Sequence, residues 1–153
     1  MNEFVELKRP DAARLSSTAA RAEVLRERYG ELEDEALLRV MLECEYQGRI
    51  ALVSSFGAEA AVLLDMVARV DPATPVLFIN TGKLFHQTLT YRDILVRRLG
   101  LTDVRSIAPA PFDLAGHDPD AALWQNNLNL CCYLRKVLPL ERALAGFDAW
   151  ITG

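Results

Sequence analysis

Ile50-Ala51-Leu52-Val53-Ser54-Ser55-Phe56-Gly57-Ala58-Glu59 is the stretch on which the fold turns. Its first four residues form an apolar run too short for a helix, which reads as a buried strand. Two serines and a glycine interrupt it. Residues 57–70 then take up a helical period, with Val62, Leu63, Met66 and Val67 expected to face inward, and Asp71-Pro72 stops the helix. Where a strand breaks into a helix at Ser-Ser-Phe-Gly, serine hydroxyls, a closely approachable backbone and a helix start meet at one point. That combination favours an anion such as a phosphate. Taken alone, the stretch fits equally a plain strand-to-helix turn with serine N-caps.

The same alternation repeats downstream. Residues 75–79 read as a second strand ending in the turn Asn80-Thr81-Gly82. Residues 87–99 read as a helix with Tyr91, Ile94, Leu95 and Leu99 on its inner face, closed by Gly100, and residues 103–107 as a third strand. A β-α-β-α-β order implies a parallel sheet with helices packed on it. Ligands on such sheets sit at the strand carboxyl ends, so Ser54-Ser55 and Asn80-Thr81-Gly82 should share a face. Residues 108–120, with three prolines and one glycine, read as loop. Residues 123–125 and 128–138 follow as helix, Pro139 begins another short helix, and residues 148–152 read as a strand entering the sheet.

Upstream, residues 11–47 read as helical. Leu37, Val40, Met41 and Cys44 fall at i, i+3, i+4 and i+7, which places Cys44 on a buried stripe. The expected organisation is an N-terminal helical segment (1–48) preceding an α/β domain (49–153), one domain overall for 153 residues. A formal net charge of −4 gives no electrostatic reason to expect nucleic acid or an anionic membrane as partner. No apolar run approaches the roughly 18 residues that span a bilayer. Glu3, Glu6, Lys8 and Arg9 make the first ten residues unlike a signal peptide. A cytoplasmic location is therefore expected, where three cysteines are free, catalytic or metal-bound rather than disulfide-bonded.

Cys131-Cys132, followed by Arg135-Lys136, is the second chemically loaded segment. Neighbouring cations favour the thiolate, the nucleophilic and metal-binding form. Adjacent cysteines rarely bond to each other, because disulfide geometry is demanding, and on a helix their side chains diverge by about 100°. Both sulfurs could still reach one bulky cluster, although iron–sulfur clusters usually take four thiolates. A bare Cys-Cys within a helix is also compatible with no metal at all. His86 and His117 have no partner at ligand spacing and read as surface or loop residues.

Taken together, Ser54-Ser55-Phe56-Gly57-Ala58-Glu59, Phe78-Ile79-Asn80-Thr81-Gly82-Lys83-Leu84-Phe85, Leu123-Trp124-Gln125, Cys131-Cys132-Tyr133-Leu134-Arg135-Lys136-Val137-Leu138-Pro139-Leu140 and Trp150-Ile151-Thr152-Gly153 resemble the adenylylsulfate (APS) reductases, the iron–sulfur branch of the APS/PAPS reductase family. The resemblance runs from about residue 50 to Gly153. It implies an adenine nucleotide α-hydrolase-like (PP-loop) α/β fold with a mostly parallel sheet. It further implies that Ser54, Ser55, Phe56, Gly57, Ala58 and Glu59 cradle a phosphosulfate, and that Asn80, Thr81 and Gly82 contact ribose or adenine. Cys131 and Cys132 would be two of four ligands to a [4Fe-4S] cluster, with Lys136 stabilising negative charge between cluster and substrate. The implied reaction is thioredoxin-dependent reduction of adenylyl sulfate to sulfite and AMP in sulfate assimilation and cysteine biosynthesis. In it a C-terminal cysteine attacks sulfur and AMP leaves.

The sequence departs from the family pattern in four places. Asn80 stands where the family usually has aspartate, His86-Gln87 replaces Pro-Glu, and Asn129-Leu130 replaces Asp-Ala. The family's later arginine pair, Cys-x-x-Cys and catalytic cysteine have no counterpart among the 153 residues. The expectation is therefore the nucleotide-binding, N-terminal portion of such an enzyme, inactive alone. A non-catalytic adenine-nucleotide-binding module is the alternative. An ATP-dependent adenylating enzyme fits poorly, because its Ser-Gly-Gly-x-Asp-Ser loop would put other residues at Phe56 and Glu59. A homo-oligomer built through Trp150, Ile151 and the cysteine helix is a further expectation.

Overall fold

The computed structural model describes residues 12–153; the acidic and basic residues of the first ten positions lie outside the described residues. At the centre is a four-stranded sheet in the order β3-β2-β1-β4, with every pairing parallel. The strands are β1 (Ile50–Ser54), β2 (Val76–Ile79), β3 (Val104–Ile107) and β4 (Ala149–Ile151). Ala51, Leu52, Val76, Leu77 and Phe78 are all buried. Near-continuous apolar runs in β1 and β2 are what a parallel sheet covered on both faces requires.

Side chains alternate across the sheet. On one face Ile50, Leu52, Val76 and Phe78 meet Leu64 and Val67 of α3 (Ala60–Val70) and Leu95 of α4 (His86–Leu99) in the main core. Gly100 ends α4 in the left-handed conformation (φ 67°), as its position after Leu99 predicts. On the other face α8 (Leu138–Leu144) crosses β2 and β3. Ahead of the sheet come α1 (Ala12–Tyr29) and α2 (Asp34–Val40), and between β3 and the cysteines lie the short α5 (Pro111–Ala115) and α6 (Leu123–Asn126).

Three inward faces differ from expectation. In α3, which begins at Ala60 rather than residue 57, Val62 is 65% exposed and Leu64 takes a core position beside the expected Val67. In α4, Tyr91 and Ile94 are exposed while Leu95 is buried, and Arg92 lies on the inner side with its guanidinium over the Phe78 ring. The long aliphatic stem of arginine covers apolar surface that the periodicity assigned to Tyr91.

The third difference concerns Cys44, which is exposed rather than buried. After α2 the chain widens into a π-turn (Met41–Glu45), and the Tyr46 N–H reaches Met41 O, five residues back, at 3.0 Å. One residue more per turn rotates the stripe, so Leu42 enters the core and Cys44 turns outward. The same device recurs after α7 (Leu128–Cys132), where a π-turn (Tyr133–Val137) leads directly into α8. Pro139 stands in the first turn of α8, at the helix start its position predicts, although no loop separates that helix from the π-turn before it. It lacks an N–H and its ring crowds the carbonyl four residues back, and a locally widened turn relieves both.

Candidate functional site

The chain runs β1, β2, β3 outward on one side of β1 and returns to place β4 on the other. Such a reversal leaves a crevice at the strand carboxyl ends, which in open α/β sheets is where ligands bind. Ser54 closes β1 opposite Phe78 of β2, and Ile79 closes β2, so the serine loop and the Asn80 turn emerge side by side.

In the serine loop each hydroxyl oxygen takes a backbone proton two residues on: Ser54 Oγ accepts the Phe56 N–H at 3.1 Å and Ser55 Oγ the Gly57 N–H at 3.2 Å. Both hydroxyls keep their own proton to donate. Phe56 holds the loop down. Its backbone lies in the left-handed region (φ 55°) and its buried ring meets Phe78 edge-on at 5.4 Å. Strain of this sort persists only where the surroundings enforce it. No side chain caps the start of α3, so its first amides face no protein acceptor of that kind. A Cβ on Gly57 would come within 3.3 Å of both Ser55 Oγ and Glu59 Oε2. Glu59 therefore sets an acceptor-only group beside the loop, and its carboxylate does not suit an anion.

In the neighbouring turn Asn80 N–H donates to Ile107 O of β3, while Asn80 Oδ1 accepts the Gly82 N–H at 3.1 Å. An aspartate would supply the same oxygen, so the turn tolerates Asn80. Thr81 Oγ1 accepts the Lys83 N–H at 3.2 Å, and Gly82 has φ 72°, which a side chain rarely adopts.

The cysteine helix is joined to that turn by one guanidinium. Arg135, 5% exposed, donates from Nη1 to Thr81 O at 2.9 Å and from Nη2 to Asp118 Oδ2 at 2.5 Å. Asp118, 6% exposed, also accepts the Leu123 N–H at 2.8 Å. The hydrogen bond from Arg135, then that from Leu123, hold its carboxyl below the ordinary aspartate value against the opposing effect of burial. Exposed Lys83 adds a second tie, donating from Nζ to Ala121 O at 3.0 Å. Asn127 caps the helix by accepting the Leu130 N–H at 3.1 Å.

Cys131 is buried, Cys132 half-buried and Lys136 exposed. Among the described residues no group of three or more His, Cys, Asp or Glu side chains comes together at metal-binding distance. Two adjacent thiols with Cys44 exposed on the α2 side do not make up the four thiolates of an iron–sulfur cluster. His86 and His117 are exposed, as their isolation predicts. Asp118 was not visible as a site residue in the sequence, and Arg135 stood out only as a neighbouring cation. The available signal was its place four residues after Cys131, on the same helix side.

A cleft of about 530 Å³ opens elsewhere, lined among others by Arg21, Glu45, Tyr46, Arg49, Asp148 and Trp150. Arg49 and Asp148 precede β1 and β4, so the cleft lies at the amino end of the sheet, away from the serine loop. Arg21 pairs with Glu45 and Arg49 with Asp148, which leaves those charges already matched. Among the described residues no helix is long and apolar enough to cross a membrane.

Residues 49–153 match the phosphoadenosine phosphosulfate reductase domain. The chain is similar to an adenosine 5'-phosphosulfate reductase of Mesorhizobium japonicum, 46% identical over 135 residues that cover 88% of this chain and 53% of the relative. One from a Chelativorans species is 45% identical over 127 residues, covering 82% and 52%. The chain thus spans about half the length of the curated relatives it matches. A crystal structure of a phosphoadenylyl-sulfate reductase from Candida auris, solved as a phosphate complex, superposes with a TM-score of 0.66 at 24% identity, covering 85% of this chain and 64% of that one. That likeness shows the fold: the PP-loop-like α/β architecture that the resemblance implied, on the parallel sheet expected from the strand–helix alternation.

Proposed function

The chain belongs to the phosphoadenosine phosphosulfate reductase family, and from that premise we propose that it is the adenine-nucleotide-binding part of an enzyme reducing adenylyl sulfate to sulfite and AMP. The observation that carries the reading is the buried Arg135, which bonds the Thr81 carbonyl and so ties the Cys131-Cys132 helix to the carboxyl face of the sheet. A nucleotide turn and a thiol pair joined by one side chain suit a reaction in which sulfur chemistry occurs beside a bound adenosine.

In this reading Ser54 and Ser55 donate hydroxyl protons to the phosphosulfate, and the backbone from Phe56 through Ala58 lets it approach. Glu59 contributes backbone alone. Asn80, Thr81 and Gly82 meet ribose or adenine, and Lys136 supplies positive charge. Cys131 and Cys132 are two of the four thiolates of a [4Fe-4S] cluster in the longer enzyme, and the Cys-Cys string favours APS over PAPS as substrate. A thioredoxin-like reductant, a role in sulfate assimilation leading to cysteine, and a cytoplasmic setting complete the proposal. The division into a helical segment (1–48) and an α/β domain (49–153) belongs to it too.

The 153-residue chain has only Cys44, Cys131 and Cys132, none of which stands in the place of the attacking nucleophile. It should bind AMP and adenylyl sulfate in calorimetric titration yet release no sulfite with thioredoxin. Absence of nucleotide binding sinks the whole reading; sulfite release sinks the claim of inactivity. A second reading is a nucleotide-binding module without redox chemistry. It keeps the same nucleotide turn and serine loop but needs nothing of the cysteine pair. Iron and acid-labile sulfide in the purified chain would count against that module.

A further inference from the structure

Asp118 sits in the connector between β3 and α6, whose one helix, α5, is five residues long. A carboxylate in such a segment is ordinarily solvated, yet Asp118 is nine-tenths buried and both its oxygens are bonded. Oδ1 is held by the Leu123 N–H, so the carboxylate cannot turn. Oδ2 takes Nη2 of Arg135, which orients the planar guanidinium so that Nη1 meets the Thr81 carbonyl, while its buried Nε has no hydrogen-bond partner among the described residues. Gly82 lies near the same nitrogen: a Cβ added there would stand 3.6 Å from Nη1. We infer that Asp118 is a positioning residue for the nucleotide site: acting through Arg135, it fixes the turn at residues 80–82 in one geometry for binding. The inference rests on the nucleotide reading above.

Asparagine at 118 isolates the effect. It keeps an oxygen for Leu123 but can present its NH₂ group to a guanidinium that only donates. Replacing both partners, Asp118→Asn with Arg135→Met, removes the buried cation that the single change leaves unmatched and so protects the fold. The experiment compares the 153-residue chain with Asp118→Asn, Asp118→Glu and the double variant, each at a temperature where urea titration shows it folded. AMP affinity is measured by calorimetry and backbone amides by ¹⁵N NMR. Expected is a shift of the Gly82 amide resonance in Asp118→Asn and in the double variant, with the Phe56 and Gly57 amides unmoved. AMP should bind about tenfold more weakly, the scale of one lost charge-assisted hydrogen bond. Asp118→Glu, which keeps the charge, should recover part of the affinity. An unmoved Gly82 amide, or AMP affinity within about twofold of the parent in both Asn-containing variants, overturns the inference alone. A parent chain that binds no AMP overturns the nucleotide reading and this inference with it.

Discussion

Phe56 offers the sharpest test of how the serine loop is held. Its ring is buried and packs edge-on against Phe78, while its own backbone lies at φ 55°. Truncating the ring to alanine should cost about 3–5 kcal/mol, the usual range for a buried phenylalanine. The comparison of Phe56→Ala with Phe56→Gly is more telling. At an extended buried site alanine is the better residue by about 1.5 kcal/mol, from roughly 0.8 kcal/mol of methyl burial and roughly 0.5–1 kcal/mol of unfolded-chain entropy. Here a Cβ in the left-handed region costs about 1–2 kcal/mol, and glycine avoids it. The two terms nearly cancel, so the glycine and alanine variants should unfold within about 0.5 kcal/mol of each other. Urea titration with matched m-values reads the difference directly. An alanine variant more stable than the glycine variant by about 1.5 kcal/mol would show that residue 56 is not held left-handed in solution.

The remaining expectations are simpler. Asp118, Glu45 and Asp103 all have carboxyls held below their ordinary values, chiefly by hydrogen bonds from Arg135, Tyr29 and Arg105. A depressed carboxylate stabilises the fold above its unfolded-state value and loses that contribution as pH falls through the folded one. Tm should therefore hold from neutral pH to about 5 and drop steadily below about 4; a Tm unchanged down to about pH 3 would contradict all three contacts. Gly82→Ala should lose about 1–2 kcal/mol from its backbone alone, since 3.6 Å to Arg135 Nη1 leaves room for a methyl; a loss above about 4 kcal/mol in urea titration would mean that the turn is packed more tightly than this. Native-state alkylation followed by peptide mass spectrometry should label Cys44 first, Cys132 next and Cys131 last; Cys44 reacting last would contradict the π-turn that exposes it.

The strands were legible because Ile50 to Val53 and the run ending at Ile79 are short, apolar and bounded by turn residues. Two such runs joined by a helix are what a parallel sheet covered on both faces requires. Gly100 was legible as a helix end for an equally local reason. The inward faces were less so. The stripe through Leu37 and Cys44 assumed that this helix face turns inward, yet Leu37 is exposed in α2 already, and beyond it the π-turn over Met41–Glu45 leaves Cys44 outside and Leu42 in the core. The stripe through Tyr91 and Ile94 assumed that an arginine stays outside, whereas Arg92 lies across Phe78. Of the candidate site, the serine loop and the Asn80 turn were found side by side where strand order put them, but Asp118 carried no pattern at all.

From its sequence alone this chain is a parallel α/β domain whose Ser54 and Asn80 segments emerge at one end of the sheet, because period and turn chemistry are local properties, written within a few residues. Which way Cys44 and Arg92 face, and that Asp118, Arg135 and Thr81 meet across separations of 17 and 54 residues, was decided by the tertiary structure. A buried guanidinium must find acceptors wherever the packed chain supplies them, and no spacing in the sequence records where that is.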